Sequence, residues 1–211
     1  TEKIINNGSK SIFVSNIYYS NILSIIFLRS LNMKIVLIER TPFEELFIYY
    51  GLIDKFKKII LRFLIKFTFN RADACVSNSK FISQKYNNYY NLKFSTIYPP
   101  SFEKSNYSTE KKNYKNKSLI FGIVSRLSKE KKIDDIINIL PKLKRKIFLK
   151  IIGDGPEKKK LKILTKKLKL NNQVSFLGSY NPNKIKFFFK YFDYFINSSD
   201  FEGFPNSVVE A

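Results

Sequence analysis

The sequence predicts an α/β protein built from two Rossmann-like arrays of parallel βαβ units, both expected to be incomplete. Three observations carry this. Short apolar runs alternate with helix-period patterns along the whole chain, turn residues stop most of the runs, and one polar segment without sustained periodicity separates two such arrays.

The elements follow in order. Ser11–Ser15 (SIFVS) reads as a strand, Ser20–Leu31 as a helix apolar nearly all round, and Lys34–Ile38 (KIVLI) as a second strand. Lys55–Phe69 carries Phe56, Ile60, Phe63 and Phe67 at helical spacing. Cys75-Val76 sits in a short strand ending at Ser77, and Ser79 is placed to cap the helix that carries Ser83 and Tyr86. Phe94–Tyr98 is a strand stopped by Pro99-Pro100. The linker is Ser101–Lys117, rich in Lys, Asn and Ser. Beyond it, Leu119–Ser125 is a strand, Ile133–Leu140 a helix disturbed by Pro141, and Ile147–Ile152 a strand closed by Gly153-Asp154-Gly155-Pro156. Glu157–Leu170 is a Lys-loaded helix, Gln173–Leu177 a strand closed by Gly178, and Pro182–Tyr191 a helix with Asn181 as cap. Tyr194–Asn197 is a strand, and the loop Ser198–Gly203 leads to a last helix from about Asn206. The domain division expected is therefore 1–100, a linker at 101–117, and 118–211. The chain opens without Met and closes at Glu210-Ala211 inside that last helix, so both ends are expected to be cuts in a longer protein and the 211 residues to be inactive alone.

Composition closes several routes. Hydrophobic residues make up 44 % and aromatics 16 %, which excludes disorder as a global description. There is no His, which excludes Ser-His-Asp and Cys-His catalysis and HExxH zinc sites. Cys75 is the only cysteine, so no intrachain disulfide or cysteine-cluster metal site exists, and a reducing, cytoplasmic location is expected. The net charge is +21. It is spread along the chain, +8 over 1–100 and +13 over 101–211, rather than gathered into one nucleic-acid-binding patch. AT-rich coding bias explains much of it, and an anionic membrane surface is the next reading. Lys58, Arg62 and Lys66 recur on the Lys55–Phe69 helix as a basic stripe beside its apolar one. Core packing of Phe56, Ile60, Phe63 and Phe67 is the favoured expectation, and a peripheral membrane contact is the alternative.

Open α/β sheets bind ligands at the carboxyl ends of their strands. The residues there are Glu39-Arg40, Ser77, Ser125-Arg126, Gly153-Asp154-Gly155 and Ser198 to Pro205. Arg126 and Lys131 flank a strand-to-helix turn where an anion would sit. Gly153 to Pro156 lacks the GxGxxG fingerprint and by itself is a structural turn. The end, Glu202-Gly203-Phe204-Pro205-Asn206-Ser207-Val208-Val209-Glu210, holds two carboxylates able to accept hydrogen bonds from sugar hydroxyls around a helix start.

VSRLSKEKKI, IIGDGPE, VSFLG and NSSDFEGFPNSVVEA, in that order over 118–211, resemble the nucleotide-sugar domain of group 1 (family 4) glycosyltransferases of the GT-B fold. FNRADACVSNSKFISQ and TIYPP resemble, more loosely, segments of the family's first, acceptor-side domain. The resemblance implies that Arg126 and Lys131 hold the donor diphosphate. Glu202 contacts the donor sugar beside the Gly203-Phe204-Pro205 backbone, and Glu210 binds the ribose hydroxyls. Ser207 adds a phosphate contact, while Asp154 and Gly155 line the nucleotide cleft. It implies a retaining, metal-independent transfer from a UDP- or GDP-linked sugar to a cell-envelope glycan or lipid-linked acceptor, in the cytoplasm or peripherally at the inner membrane face. No cofactor is expected beyond the donor. Lys132 stands where the family usually has Gly, and the first domain's glycine-rich loop and His are absent. Glu39-Arg40-Thr41 is open to an acceptor-side role or to a strand-end salt bridge. Two rival readings are a basic, non-enzymatic nucleic-acid-binding module and a glycosyltransferase-like protein that binds nucleotide sugar without turnover.

Overall fold

Strands buried between helices must read as short apolar runs, and the runs found in the sequence become two parallel sheets. The computed structural model describes residues 11–31, 33–99 and 118–211, so the expected linker 101–117 lies outside the described residues. Two compact units divide the chain: Thr1–Pro100 with Phe201–Phe204 (unit 1), and Ser101–Asp200 with Pro205–Ala211 (unit 2).

Unit 1 runs β1 (Ile12–Asn16), α1 (Tyr18–Leu28), β2 (Lys34–Glu39), α2 (Leu52–Thr68), β3 (Ala74–Ser77), α3 (Lys80–Tyr90) and β4 (Phe94–Thr96). Its sheet order is β1-β2-β3-β4, every pair parallel. An order that advances one strand at a time through right-handed crossovers puts all three helices on one face. Ile35, Leu37, Cys75 and Phe94 alternate onto that face. They are buried in one cluster with Ile22 and Ile25 of α1, Leu61 and Ile65 of α2, and Ile82 and Tyr86 of α3. Ser79 caps α3 as expected, its hydroxyl accepting the Ile82 amide at 3.3 Å. Burial pushes the Cys75 thiol up to about 12, so it is inert as a nucleophile at neutral pH.

α2 turns out differently from expectation. Its buried line is Lys58, Leu61, Ile65 and Thr68. Phe56, Ile60, Phe63 and Phe67, expected in the core, are exposed. Lys58 can be buried because its ammonium donates to the Ile48 carbonyl at 2.6 Å and lies 3.4 Å from the Asp54 carboxylate. Of the expected basic stripe only Lys66 is exposed: Lys58 is inside, and Arg62 is half-buried over the Phe47 ring at 4.5 Å. Among the described residues, no helix is long and apolar enough to cross a membrane.

Unit 2 runs β5 (Leu119–Val124), α4 (Ile133–Ile139), β6 (Ile147–Ile152), α5 (Lys158–Lys167), β7 (Val174–Gly178), α6 (Pro182–Phe189), β8 (Tyr194–Phe195) and α7 (Asn206–Glu210). The sheet order is β7-β6-β5-β8, again parallel throughout. The chain steps outward from β5 to β7 and then returns to the other side of β5. On one face Leu149 and Ile151 are fully buried with Ile137 of α4 and Leu161 of α5. On the other, Phe192 lies directly over Gly122, where any Cβ would overlap its ring. The return is fixed by Asp193, whose amide donates to the Ile120 carbonyl and whose carboxylate accepts the Ile120 amide, both at 2.8 Å.

Candidate functional site

β5 and β8 are the strands at which the order of unit 2 reverses, and the crevice outside their carboxyl ends is the ligand position of open α/β sheets. Three loops meet there, and they are joined backbone to backbone. The Ser125 amide donates to the Ile152 carbonyl at 3.1 Å, the Leu127 amide to the Asp154 carbonyl at 2.9 Å, and the Glu157 amide to the Leu127 carbonyl at 2.9 Å. From the β8 side, the Asp200 amide donates to the Glu130 carbonyl at 2.9 Å and the Ser198 hydroxyl to the Lys131 carbonyl at 2.6 Å. The loops after β5, β6 and β8 therefore form one bonded body. Two glycines make this approach possible. At Gly153 (φ 140°) and Gly155 (φ 158°) a Cβ would overlap the carbonyl oxygens of Ser125 and Leu127. The turn expected to be structural is so, and its glycines serve loop-to-loop packing.

Arg126 sits on the first of these loops with 71 % of its side chain exposed. Its Nε donates to the Ser128 hydroxyl at 3.3 Å and a terminal nitrogen to Glu130 Oε1 at 3.0 Å. Partial burial alone would raise the Glu130 carboxyl, but the Ser128 hydroxyl bond, its own amide and the Arg126 guanidinium hold it below the usual carboxylate range. Arg126 is thus pinned along one edge by an ionised partner while the rest of its fork faces solvent. Lys131 ends a single 3-10 turn, its amide donating to the Ser128 carbonyl at 3.0 Å. Lys132 adopts a left-handed backbone (φ 49°), the conformation a glycine would supply at this point. The lysine there costs about 1 kcal/mol relative to Gly. Its half-exposed ion pair with Asp200 at 3.5 Å returns little of that.

Asp154 lies on the second loop, exposed. The Lys158 ammonium at 2.5 Å, followed by the Gly155 amide at 2.8 Å, holds its carboxyl below the usual range. Ser207 and Glu210 are half-buried on α7, a five-residue helix that follows Pro205, whose carbonyl accepts the Val208 and Val209 amides. Glu202, Gly203 and Phe204 group with unit 1, whereas Pro205, Ser207 and Glu210 group with unit 2. The two carboxylates of the Glu-x7-Glu pair thus belong to different units. A cavity of about 300 Å³ opens beside the bonded loops, lined by Ser128, Lys129, Lys132, Glu157 and Lys160 among others. None of the expected site residues lines it. Sequence reasoning missed Glu130, which positions the loop through its backbone carbonyl and its carboxylate, and it placed Ser198 and Asp200 at the strand end without their part in holding the loop, through a hydroxyl and an amide.

In unit 1 the strand-end residue of note is Glu39, fully buried at the end of β2. It makes no salt bridge among the described residues. Oε1 accepts the Arg40 and Thr41 amides at 3.0 and 2.9 Å, and Oε2 has no partner. Burial pushes its carboxyl from 4.5 up to about 7 against those bonds. A carboxyl with a raised folded pKa contributes stability that is full below the unfolded pKa and lost as pH rises through the folded one. The expected decline between pH 4.5 and 7 is up to about 3 kcal/mol. Glu39→Gln is expected to flatten that slope in melts across pH, and an unchanged slope would remove Glu39 as its source.

Comparison with known proteins gives three findings. A family model described as glycosyl transferases group 1 matches residues 106–211. An uncharacterized glycosyltransferase of Methanocaldococcus jannaschii is 38 % identical over 107 residues, which is 47 % of this chain and 26 % of the relative. The N-acetylgalactosamine-N,N'-diacetylbacillosaminyl-diphospho-undecaprenol 4-alpha-N-acetylgalactosaminyltransferase of Campylobacter jejuni is 29 % identical over 167 residues, 75 % of this chain and 44 % of the relative. The chain thus spans less than half the length of these curated relatives. Among solved structures, HepE of Anabaena in complex with UDP superposes with a TM-score of 0.72 at 19 % identity, covering 100 % of this chain and 59 % of that one, a likeness of fold.

Proposed function

The chain belongs to the group 1 glycosyl transferases, and from that premise we propose that it contributes the donor-binding unit, and part of the acceptor-side unit, of a retaining enzyme. That enzyme moves a hexosyl or N-acetylhexosaminyl group from a UDP- or GDP-linked donor to a cell-envelope glycan or lipid-linked acceptor, in the cytoplasm. The fold is GT-B, with two parallel four-stranded sheets. The family match does not favour the nucleic-acid-binding alternative.

The observation that carries the reading is the bonded body of loops at the β5/β8 reversal, with the exposed Arg126 guanidinium pinned on it and Lys131 five residues on. As the bond from the sugar to the diphosphate breaks, negative charge grows on the leaving diphosphate. Cations held in place before the reaction stabilise that charge without reorganising. Arg126 and Lys131 fill this role without a metal. Glu210 accepts from the ribose hydroxyls and Ser207 donates to a phosphate. Asp154 and Gly155 line the nucleotide side. Glu202 holds the donor sugar beside the Gly203-Phe204-Pro205 backbone. The lipid-linked acceptor is supported by the Campylobacter relative, whose name specifies a diphospho-undecaprenol acceptor, and the nucleotide donor by HepE, solved with UDP.

A panel of UDP- and GDP-sugars tested on the whole protein, by thermal shift and by nucleotide release with EDTA present, decides the reading. One donor is expected to raise the melting temperature and release its nucleotide in EDTA. Glu210→Gln is expected to raise the donor KM, and Glu202→Gln to lower kcat. No shift with any nucleotide sugar would overturn donor binding. Loss of release in EDTA with rescue by a divalent ion would overturn the metal-free part.

A further inference from the structure

In unit 1, β2 parts from its neighbour at Glu39, the last residue in register with β3, where it stands opposite Ser77. The amides of Arg40 and Thr41 therefore leave the ladder, and Glu39 Oε1 accepts both, at 3.0 and 2.9 Å. The strand end is held from the β1 side as well. The Ile38 carbonyl accepts the Ile17 amide at 3.0 Å and the Asn21 side-chain amide at 2.9 Å. A peptide unit is planar and trans, so its N–H and its C=O point in opposite directions. With the Thr41 amide bound to a fully buried side chain, the Arg40 carbonyl of the same plane faces away from Glu39. Gly203 lies against it. A Cβ at Gly203 would overlap the Arg40 carbonyl oxygen and stand 3.3 Å from Cδ1 of the buried Ile82 on α3. The ring of Phe204, next in the loop, lies 6.2 Å from that of Tyr98. Phe201–Phe204, which groups with unit 1, is thus seated on the Arg40 carbonyl, Ile82 and Tyr98.

We propose that Glu39 is a positioning residue for sugar transfer: by fixing the Arg40-Thr41 peptide plane it sets the seat of the Glu202-Gly203-Phe204 loop, and with it the place of the Glu202 carboxylate. Glu39 itself touches no substrate. It acts through Oε1 on the Thr41 amide, across one rigid plane to the Arg40 carbonyl, and from that carbonyl onto Gly203. Oε1 must accept two amides at once, which a carboxyl or carboxamide oxygen can do and an aliphatic side chain cannot. The role in transfer rests on the proposed assignment of Glu202 to the donor sugar, whereas the seating of the loop does not.

Amide hydrogen exchange on the whole protein, with no nucleotide present, tests the seating. Glu39→Ala is expected to speed exchange about tenfold both at residues 40–42 and at Phe201–Phe204. Glu39→Gln, which keeps an acceptor oxygen, is expected to leave both near the parental rates. Gly203→Ala strikes the same contact from the loop with the Glu39 carboxyl in place, and is expected to speed exchange at residues 40–42 even if Glu39→Ala does not fold. Steady-state kinetics with the nucleotide sugar selected by the donor panel test the role in transfer. Glu39→Ala is expected to lower kcat about tenfold to a hundredfold with the donor KM within about twofold, and Glu39→Gln to restore the rate. Glu39→Ala combined with Gly203→Ala is expected to lose far less than the product of the two single losses, because both break one contact. Faster exchange confined to residues 40–42 in Glu39→Ala, parental exchange there in Gly203→Ala, multiplicative losses in the combined variant, or a Glu39→Gln variant as slow as Glu39→Ala would each overturn the proposal. Failure of every nucleotide sugar to bind would strike the donor reading and the role in transfer with it, while the exchange rates still decide the seating.

Discussion

Arg126→Ala is expected to lower kcat/KM for sugar transfer by roughly 10²- to 10³-fold, about 3 to 4 kcal/mol of transition-state stabilisation, and Lys131→Ala by a similar factor. The loss should fall more on kcat than on donor affinity, since charge on the leaving diphosphate is greatest in the transition state. Arg126→Lys is expected to recover only part of the rate. It restores a positive charge but not the planar fork that holds Glu130 along one edge and leaves the other open to solvent. Because Arg126→Ala also strips Glu130 of its ion-pair partner, steady-state kinetics should be accompanied by a melt. Kinetics unchanged in both alanine variants would remove the diphosphate assignment, whatever the melts show.

The second large effect is on folding. Gly153→Ala is expected to destabilise unit 2 by about 4 kcal/mol or more. A left-handed backbone costs a non-glycine residue about 1 to 2 kcal/mol. The new Cβ must also displace the Ser125 carbonyl, which is backbone and cannot rotate away. Gly178 provides the comparison, with φ 81° and open space around its Cβ position. Gly178→Ala should therefore incur the backbone term alone, about 1 kcal/mol. Denaturant unfolding of both variants checks this. Equal losses at the two glycines would mean that the loops after β5 and β6 are not docked through Gly153.

Much of the fold was legible because buried parallel strands leave a simple trace. KIVLI and IFLKII are apolar runs with turn residues behind them, and β2 and β6 form there. The caps at Ser79 and Asn181 were legible because an N-cap is a local bond between one side chain and one amide. β7 came out one residue later than expected. Gly178 was read as the stop, yet its backbone still pairs with Ile152 through a bulge. The facing of α2 was not legible, because apolar residues occur on both sides of the helix. On the side that packs, Lys58 is buried with its ammonium on the Ile48 carbonyl and near the Asp54 carboxylate, a tertiary fact with no periodic trace. The candidate site was legible in residue types at strand ends. Its interlocking was not, because carbonyl-to-amide bonds between loops leave only the two glycines as a mark in the sequence. Glu39 was missed as a buried acid for the same reason: two neighbouring amides, rather than a cationic side chain, satisfy half of its carboxylate.

The return of β8 to the far side of β5 also sets the order in which a nascent chain can become structured. In unit 1 every strand pairs with the one made just before it, so its sheet can grow as the chain leaves the ribosome. In unit 2 the second edge of β5 waits for a partner 73 residues downstream, the separation between Ile120 and Asp193. At about 5–20 residues per second of synthesis, that edge stays open for roughly 4 to 15 s. During this interval β5 offers unpaired amides and carbonyls to any other extended chain. Translation stalled between β7 and β8 is expected to be the point at which this protein aggregates, and a pause placed after β8 is expected to be harmless.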